Sequence, residues 1–568
     1  MKASGLALCL TLAASTYPAF AGSGIWTPDR GDGTYMNPVL MGDYSDPDAT
    51  RVGDTFYLVS SSFTNVPALP ILASKDLVNW HIVGHALKAN VPLDHFRTPR
   101  RGGGVWAPAI RFHKGRFYIY YPDPDFGIFM VSAKAPEGPW TDPVLVDATK
   151  GAIDPCPFWD DDGRGYLVHA FAASRAGKSN LVVLKRLNAA GTRTTDEGRV
   201  IIDGAALPQV ETSIGLAPWF TIEGPKLYKR GGDYYIFAPA GSVKGGWQGV
   251  FRSRSLDGPY EARDVLDQAD TAINGPHQGA WVQTAGGEDW FLHFQDTDSY
   301  GRRVWLEPMV WKDGWPIIGA PQPGKSYGEP VTTHRKPGVS HQPVSVPVAD
   351  DTFDGAINPA WQWNSNPGDD WADDKSEPGH LRLKSISSPA NLWEAGNVLT
   401  QKLPDLSFTA QTELTLHPKW VGERAGLVLF GMSYGFIGLE NTPDGIMLEQ
   451  VTRADANAGG EDARTTASVK ISGPVWLRVH VDPVEHAVPP PDFKPYFQSM
   501  LRATDARVTF SYSLDGKTFQ PLGNGFMSRP GLWVGAQVGI FAQAPSGTPA
   551  YVSTRIGYAS FSDFRILP

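Results

Sequence analysis

The segment Asp46-Pro-Asp-Ala-Thr-Arg-Val-Gly-Asp-Thr-Phe-Tyr-Leu-Val sets a pattern that the first 300 residues of the chain repeat. A polar or aromatic residue opens the pattern, alternating apolar positions follow, and a Gly-containing turn leads into an aromatic-rich strand. Alternation around a Gly turn predicts a β-hairpin. Four further segments follow the same order: Trp106-Ala-Pro-Ala-Ile-Arg-Phe-His-Lys-Gly, Asp154-Pro-Cys-Pro-Phe-Trp-Asp-Asp-Asp-Gly, Glu223-Gly-Pro-Lys-Leu-Tyr-Lys-Arg-Gly and His277-Gln-Gly-Ala-Trp-Val-Gln-Thr-Ala-Gly.

The five openings are separated by 60, 48, 69 and 54 residues. That interval fits a four-stranded blade with its loops, so the repeat predicts an all-β, five-bladed β-propeller. Coincidental spacing in another all-β protein is the alternative. The innermost strands of a propeller line its central channel, so the five opening residues should converge at one mouth of that channel.

A second domain follows a Pro-rich stretch. We predict a propeller over residues 22–338, a linker over 339–349 and a C-terminal β-sandwich over 350–568. The sandwich interpretation rests on hairpin-like alternation in segments such as Gly426-Leu-Val-Leu-Phe-Gly and Val475-Trp-Leu-Arg-Val-His-Val. Because the linker is short, we expect the sandwich to dock on the propeller, with one of its loops partly closing the channel mouth. Phe436, Tyr496 and Phe497 are candidates for reaching that mouth, and packing within the sandwich is the alternative.

Composition narrows the class of protein and of partner. The 568 residues carry a formal net charge of −9, which argues against nucleic acid as a partner. The 19 Trp residues beside 61 Gly and 48 Pro suit many short strands and turns.

The N-terminus has the pattern of an export signal. Lys2 precedes an apolar run and Ala19-Phe-Ala matches a cleavage site, so residues 1–21 are predicted to be a signal peptide. We therefore expect a periplasmic or extracellular protein. The apolar run is too short for an integral membrane anchor. Cys156 would then be the only mature cysteine, which excludes an intrachain disulfide.

Three of the converging positions are acidic: Asp46, Asp154 and Glu223. Facing carboxyl groups suit cleavage of a glycosidic bond, which needs one protonated acid for the leaving oxygen and one carboxylate to activate water. We assign Asp46 as the general base, Glu223 as the general acid, and Asp154 as the residue that raises the pKa of Glu223 and orients it. His277, at the fifth position, is a candidate for binding a channel ion or water, with a hydrogen-bonded structural role as the alternative. Of the neighbours Arg302 and Arg303, one should face the channel and the other should be a surface charge, because adjacent strand residues point to opposite sides.

These residues lie in motifs that resemble glycoside hydrolase family 43. The matching stretches are Ser45-Asp-Pro-Asp-Ala, Val105-Trp-Ala-Pro, Ile153-Asp-Pro, Ile222-Glu-Gly-Pro-Lys, Gly275-Pro-His-Gln-Gly and Gly301-Arg-Arg-Val-Trp-Leu-Glu-Pro. The region after the linker resembles the concanavalin A-like jelly roll at the C-terminus of many β-xylosidase-like members. Invertase-like propellers are a near competitor, but Tyr44-Ser45 and Ile153 stand before the acids where those proteins carry other motifs.

The resemblance implies an inverting β-xylosidase or α-L-arabinofuranosidase that acts on xylan, arabinoxylan or arabinan. It assigns Arg302 as the matching arginine, Phe63 and Trp106 as walls around the terminal sugar, and His277 as the channel histidine. It implies no organic cofactor, and a structural Ca²⁺ or a water cluster beside His277. A non-catalytic carbohydrate-binding protein and a propeller that acts as an interaction scaffold remain alternatives. The sequence leaves open the choice between xylose and arabinose, exo or endo action, and the oligomeric state.

Overall fold

The first hairpin forms as predicted, with Asp48–Val52 antiparallel to Thr55–Val59. Gly53 makes the turn at a φ of +64°, a backbone conformation that favours glycine. The computed structural model describes residues 25–459, 462–488, 501–548 and 556–568. The predicted signal peptide lies outside these residues.

Each of the five repeats forms one antiparallel sheet of four strands, which confirms the five-bladed β-propeller. Blade 1 consists of Asp48–Val52, Thr55–Val59, Ala68–Ser74 and His81–Leu87; blade 2 of Ala109–His113, Arg116–Asp123, Gly127–Ala133 and Val144–Asp147; blade 3 of Ala152–Trp159, Gly165–Phe171, Leu181–Arg186 and Arg199–Asp203; blade 4 of Lys226–Arg230, Asp233–Ala240, Trp247–Ser253 and Glu261–Leu266; blade 5 of His277–Gln283, Asp289–Asp296, Arg302–Lys312 and Trp315–Ile318.

Short strands complete the propeller. Thr34–Met36 pairs with Thr333–Arg335, so the two ends of the propeller are joined in one ribbon. Gly328–Glu329 and Ala320–Pro321 extend blade 4, and Val210–Thr212 pairs with Gly215–Ala217 before that blade.

Side chains on the innermost strands link the blades across the channel. Arg111 of blade 2 donates hydrogen bonds to Asp48 of blade 1 at 2.6 Å and to the Cys156 sulfur of blade 3 at 3.0 Å. The Tyr228 hydroxyl of blade 4 accepts the N–H of Trp281 of blade 5 at 3.1 Å. The Arg111 guanidinium also lies 5.3 Å from the Tyr228 ring centre. This polar network ties the blades together and gives the buried Cys156 a structural role.

The C-terminal region is a β-sandwich of two mostly antiparallel sheets, as predicted. The first sheet contains, in spatial order, Gln362–Trp363, Val398–Lys402, Gln537–Ala544, Arg424–Phe430, Tyr434–Thr442, Gly445–Arg453 and Arg464–Lys470, with Ile386–Ser387 also on Gln537–Ala544. The second contains Ala372–Asp373, His380–Lys384, Tyr558–Leu567, Phe408–His417, Val475–Val488, Leu501–Ser513 and Gln520–Pro521, with Phe526–Ser528 also on Leu501–Ser513.

The sandwich contacts the propeller directly. The backbone N–H of Trp363 donates to the carbonyl of Val66 at 2.6 Å. Arg101, on the propeller, lies 4.7 and 4.8 Å from the ring centres of Trp393 and Phe430, and its guanidinium donates to the Trp393 carbonyl. One hydrophobic cluster includes buried residues of both domains. The two domains are therefore packed together, as the short linker led us to expect.

Helical structure is sparse in the described part of the chain. It consists of one α-helix of one turn, Ala173–Ala176, and the 3-10 turns His95–Arg97, Gly204–Ala206, Asp298–Tyr300, Leu392–Glu394 and Ala456–Ala458. None of these helices is long and apolar enough to cross a membrane.

Candidate active site

The opening residues of the five repeats lie at or just before the innermost strand of each blade. Asp46 precedes Asp48–Val52, Trp106 precedes Ala109–His113, and Glu223 precedes Lys226–Arg230. Asp154 lies within the first strand of blade 3 and His277 begins that of blade 5. Their shared position in the repeat places them at one end of the channel, and the contacts below connect them.

Asp46 is buried and held by two side chains. Arg302 Nη1 donates to both carboxylate oxygens, at 2.9 and 3.2 Å, and Ser61 Oγ donates to Oδ2 at 2.6 Å. Arg302 is itself buried and begins the third strand of blade 5. Arg303 points away and donates to the Met41 sulfur at 3.7 Å. Arg303 is half-buried, with its Nε fully buried, so the expectation that the second arginine is a surface charge is wrong; burial lowers its pKa to about 10.

Glu223 is paired with His277. The imidazole Nε2 lies 2.9 Å from Glu223 Oε1, and the His277 ring packs edge-on against Phe294. Glu223 keeps 23 % of its side-chain surface exposed, whereas His277 keeps 1 %. The acid therefore remains open to the mouth, while the histidine behind it is fixed.

The described side chains beside His277 do not form a metal site by themselves, and a structural Ca²⁺ there stays a prediction. Ca²⁺ takes six to eight oxygen ligands. Within the described ranges, no group of three or more His, Cys, Asp and Glu side chains is arranged to hold a metal ion. The contact with Glu223 instead assigns His277 to the acid, and the buried Nδ1 has no hydrogen-bond partner among the described atoms.

Asp154 lies close enough to the other two acids for the charges of both to act on it. Its Oδ2 accepts the backbone N–H of Gly224 at 2.7 Å, which ties blade 3 to the residue after Glu223. Burial first, and then the charge of Glu223, raise the pKa of Asp154 to about 7. Asp46 adds to the rise, and the fully buried ammonium of Lys226 opposes it. Asp154 therefore holds a proton up to near neutral pH, in a position where the charge of Glu223 acts on it.

Several residues around the mouth adopt positive backbone φ angles although they are not glycines. Asp46 has φ 54°, Asp154 56°, Phe63 50°, Gln278 42° and Trp533 66°. Each such residue costs on the order of 1–3 kcal/mol, and strain of this kind concentrates at functional sites. Two of the three acids, Asp46 and Asp154, are among these residues.

Aromatic side chains form a wall beside the acids. The ring centres of Phe63 and Trp106 are 6.1 Å apart, and Trp533 lies 6.1 Å from Trp106 on the other side. The Arg302 guanidinium carbon lies 6.0 Å from the Trp533 ring, and the Trp106 indole N–H donates to the Gly102 carbonyl at 3.1 Å. Phe63 and Trp106 therefore stand where the wall was predicted, and Arg302 joins the wall to the Asp46 carboxylate.

Trp533 comes from the sandwich and was missed in the sequence. It lies in Gly531-Leu-Trp-Val-Gly, where glycines on both sides mark an exposed loop aromatic. Phe436, one of the three candidates, is buried in Tyr434–Thr442 and packs against Phe541 at 5.0 Å, so the alternative of packing within the sandwich is confirmed for it and a reach to the mouth is wrong. Tyr496 and Phe497 lie outside the described residues. Ser61 was missed as well, because it lies outside the repeated positions.

Comparison with known proteins gives the family of both domains. Residues 35–316 match the model for glycosyl hydrolases family 43, and residues 350–565 match the beta xylosidase C-terminal concanavalin A-like domain. The chain is 35% identical over 511 residues to a putative beta-xylosidase of Xylanibacter ruminicola, which covers 90% of this chain and 86% of that protein. It is 31% identical over 417 residues to a non-reducing end alpha-L-arabinofuranosidase of Bacteroides ovatus, covering 70% and 73% of the two chains.

Solved structures agree with the sequence matches. A mutant of a family 43 protein from Bacillus licheniformis superimposes with a TM-score of 0.76 at 27% identity, over 94% of this chain and 99% of that one. With both domains matched and the carboxylates of the repeat gathered at one channel mouth, the chain belongs to glycoside hydrolase family 43 and is a β-xylosidase- or α-L-arabinofuranosidase-like hydrolase.

Proposed function

We propose that this hydrolase removes terminal xylose or arabinose residues from hemicellulose-derived chains with inversion at the anomeric carbon. Asp46 acts as the general base, Glu223 as the general acid, and Asp154 as the residue that sets the protonation of Glu223 and orients it. The observation that carries the proposal is that Asp46 and Glu223 have different hydrogen-bond partners. Asp46 accepts hydrogen bonds from Arg302 and Ser61, whereas Glu223 contacts His277 and has Asp154 as an acidic neighbour.

Asp46 suits the part of the base. Arg302 and Ser61 donate hydrogen bonds to its two oxygens. A carboxylate held in this way can accept a proton from water while its orientation stays fixed. The water would attack the anomeric carbon from the side opposite the leaving oxygen, which gives inversion.

Glu223 suits the part of the acid. Burial first, and then the charge of Glu223, raise the pKa of Asp154 to about 7, so Asp154 can hold a proton beside Glu223 near neutral pH. The Asp154 carboxylate also accepts the backbone N–H of Gly224, next to Glu223, and so can orient the proposed acid. Glu223 is also the more exposed of the two acids, and from there the proton reaches the glycosidic oxygen.

The wall favours a terminal sugar as substrate. Phe63, Trp106 and Trp533 surround the mouth from both domains. A mouth narrowed by the sandwich suits chain ends of xylan, arabinoxylan and arabinan better than the middle of a long chain. The relatives named as a putative beta-xylosidase and a non-reducing end alpha-L-arabinofuranosidase support both pentoses as candidates.

The non-catalytic alternative is not favoured. A carbohydrate-binding propeller needs aromatic and hydroxyl-binding groups, but it needs neither a pair of neighbouring acids nor a separately held carboxylate. The similar proteins are named as enzymes.

Substrate profiling with product analysis tests the proposal. The purified protein should release nitrophenol from β-D-xylopyranoside or α-L-arabinofuranoside and free pentose from xylo-oligosaccharides, arabinoxylan or arabinan. In early proton NMR spectra the released sugar should carry the inverted anomeric configuration. Absence of pentose release from all of these substrates would contradict the activity, and a retained anomer would contradict the mechanism.

Export is part of the proposal and rests on the pattern at residues 1–21. Cells that express the full gene should place the activity in the periplasm or the medium, with a new N-terminus near Gly22. Deletion of residues 2–21 should leave the activity inside the cell, and equal distribution of both forms would contradict export.

A further inference from the structure

A buried carboxylate lies where the two domains meet, and the proposed mechanism does not use it. Asp43 precedes blade 1 and is 5% exposed. Its Oδ1 accepts the backbone N–H of Arg302 at 2.8 Å, and its Oδ2 accepts the backbone N–H of Gly535 at 2.9 Å. One donor belongs to blade 5 and the other to the sandwich, so a single side chain joins them.

The segments around Asp43 are in close contact. A Cβ on Gly301, whose φ is +72°, would lie 2.4 Å from Asp43 Cγ, and a Cβ on Gly535 would lie 2.6 Å from the Gly301 nitrogen. The backbone N–H of Ala536 donates to the Ser299 carbonyl at 2.7 Å. The backbone of the sandwich segment at Gly535 therefore lies against the backbone of blade 5 at Gly301, with no room for a side chain at either position. The Asp43 carboxylate accepts one backbone N–H from each segment.

Asp43 connects two parts of the mouth. Arg302, whose N–H it accepts, donates to Asp46. Gly535 follows Trp533 by two residues, and Trp533 lies against Trp106 and Arg302. The position of the sandwich loop that carries Trp533 and the position of Arg302 beside Asp46 therefore both depend on the Asp43 carboxylate.

The Asp43 carboxylate is surrounded by groups that partly compensate for its burial. Burial raises its pKa, while Lys402 and the two backbone N–H groups counteract that rise. Lys402 is on the sandwich and its ammonium lies 5.2 Å from the Tyr44 ring. The surroundings of the carboxylate thus come from both domains.

We propose that Asp43 is a positioning residue that couples docking of the sandwich to the Arg302–Asp46 pair, so that the aromatic wall and the proposed base are set together. This inference rests on the proposed function for its kinetic consequences and on the domain contact alone for its structural consequence.

Asp43→Asn tests the coupling with little change in size. The asparagine amide replaces one acceptor oxygen by an NH₂ donor. That donor would face one of the two backbone N–H groups, so one of the two hydrogen bonds is lost. We expect amide hydrogen exchange over residues 531–537 to rise at least tenfold, with blades 2 and 3 unchanged. We also expect kcat/KM on the nitrophenyl pentosides to fall at least tenfold, with KM raised and kcat lowered. Unchanged exchange over residues 531–537 would overturn the proposal.

A double-mutant cycle separates positioning from general stability. In a Trp533→Ala background, Asp43→Asn should no longer raise KM, because the wall residue is absent, but it should still lower kcat through Arg302. Independent, additive effects on KM would overturn the coupling. If the wild-type protein releases no pentose, the proposed function fails, and the exchange measurement still decides the role of Asp43.

Two further variants guard against misfolding. Gly535→Ala should wedge the sandwich strand from blade 5 and reproduce the rise in KM without altering Asp43. The matched control is Asp351→Asn, another buried aspartate that accepts two backbone N–H groups, from Phe353 and Asn358, but within the sandwich. It should leave KM and kcat unchanged. A loss of activity with Asp351→Asn equal to that with Asp43→Asn would assign the effect to stability and overturn the proposal.

Discussion

Replacement of Trp533 by Ala should weaken catalysis, because it removes the part of the wall that the sandwich supplies. Trp533 is 49% exposed, which leaves roughly 75–120 Å² of an indole side chain open to a ligand. A sugar can cover one face, or about half of that area. At about 25 cal/mol per Å², the lost contact amounts to about 1–1.5 kcal/mol. We therefore expect kcat/KM to fall about 5- to 12-fold.

The measurement is kcat/KM on a nitrophenyl pentoside and on a short xylo- or arabino-oligosaccharide. Trp533→Phe should retain part of the effect of the ring. Trp420→Ala is the matched control, since Trp420 is another half-exposed tryptophan of the sandwich. The backbone carbonyl of Trp420 accepts a hydrogen bond from the Asn441 side chain, and the substitution leaves that carbonyl in place. A kcat/KM for Trp533→Ala within twofold of the wild-type value would refute the assignment of this residue to the mouth.

Three other changes test the site and the domain contact. Glu223→Gln removes the proton donor and should lower turnover on oligosaccharides by about a hundredfold or more, with a smaller loss on substrates that have good leaving groups; near-normal turnover would contradict the assignment. Asp154→Asn removes the group whose pKa burial and Glu223 raise to about 7, together with the negative charge it places beside the proposed acid. The basic limb of the kcat/KM profile should therefore move toward acid, and an unchanged limb would count against the modulating role of Asp154. A chain cut before Asp350 exposes the propeller face that holds Arg101 and should be poorly soluble or at least tenfold less active on small substrates. A stable propeller with full activity would show that the sandwich is dispensable for catalysis.

The repeat in the sequence predicted the parts of the site that share a register. Asp46, Asp154, Glu223 and His277 open equivalent hairpins, and one blade geometry therefore places them at one mouth. Strand alternation also limited the choice between Arg302 and its neighbour, since the two must face opposite sides.

Contacts between residues that lie outside the repeat could not be predicted in this way. Asp43 meets Gly535 across 492 positions of sequence, and no local pattern marks either residue. Trp533 lies in a loop whose direction depends on how the sandwich docks. Phe436 lies within a strand, and strand alternation places its side chain inside the sandwich. The Gly- and Pro-containing segments near it in the sequence do not indicate that direction.

The ribbon between Thr34–Met36 and Thr333–Arg335 has a consequence for the timing of folding during synthesis. The first strand waits for a partner that lies about 300 residues later in the chain. At ~5–20 residues per second, the ribosome needs roughly 15–60 s to deliver it. Until then the ring of blades stays open, and the nascent chain spends that interval without its final closure, available to chaperones and to any machinery that handles unfolded polypeptide.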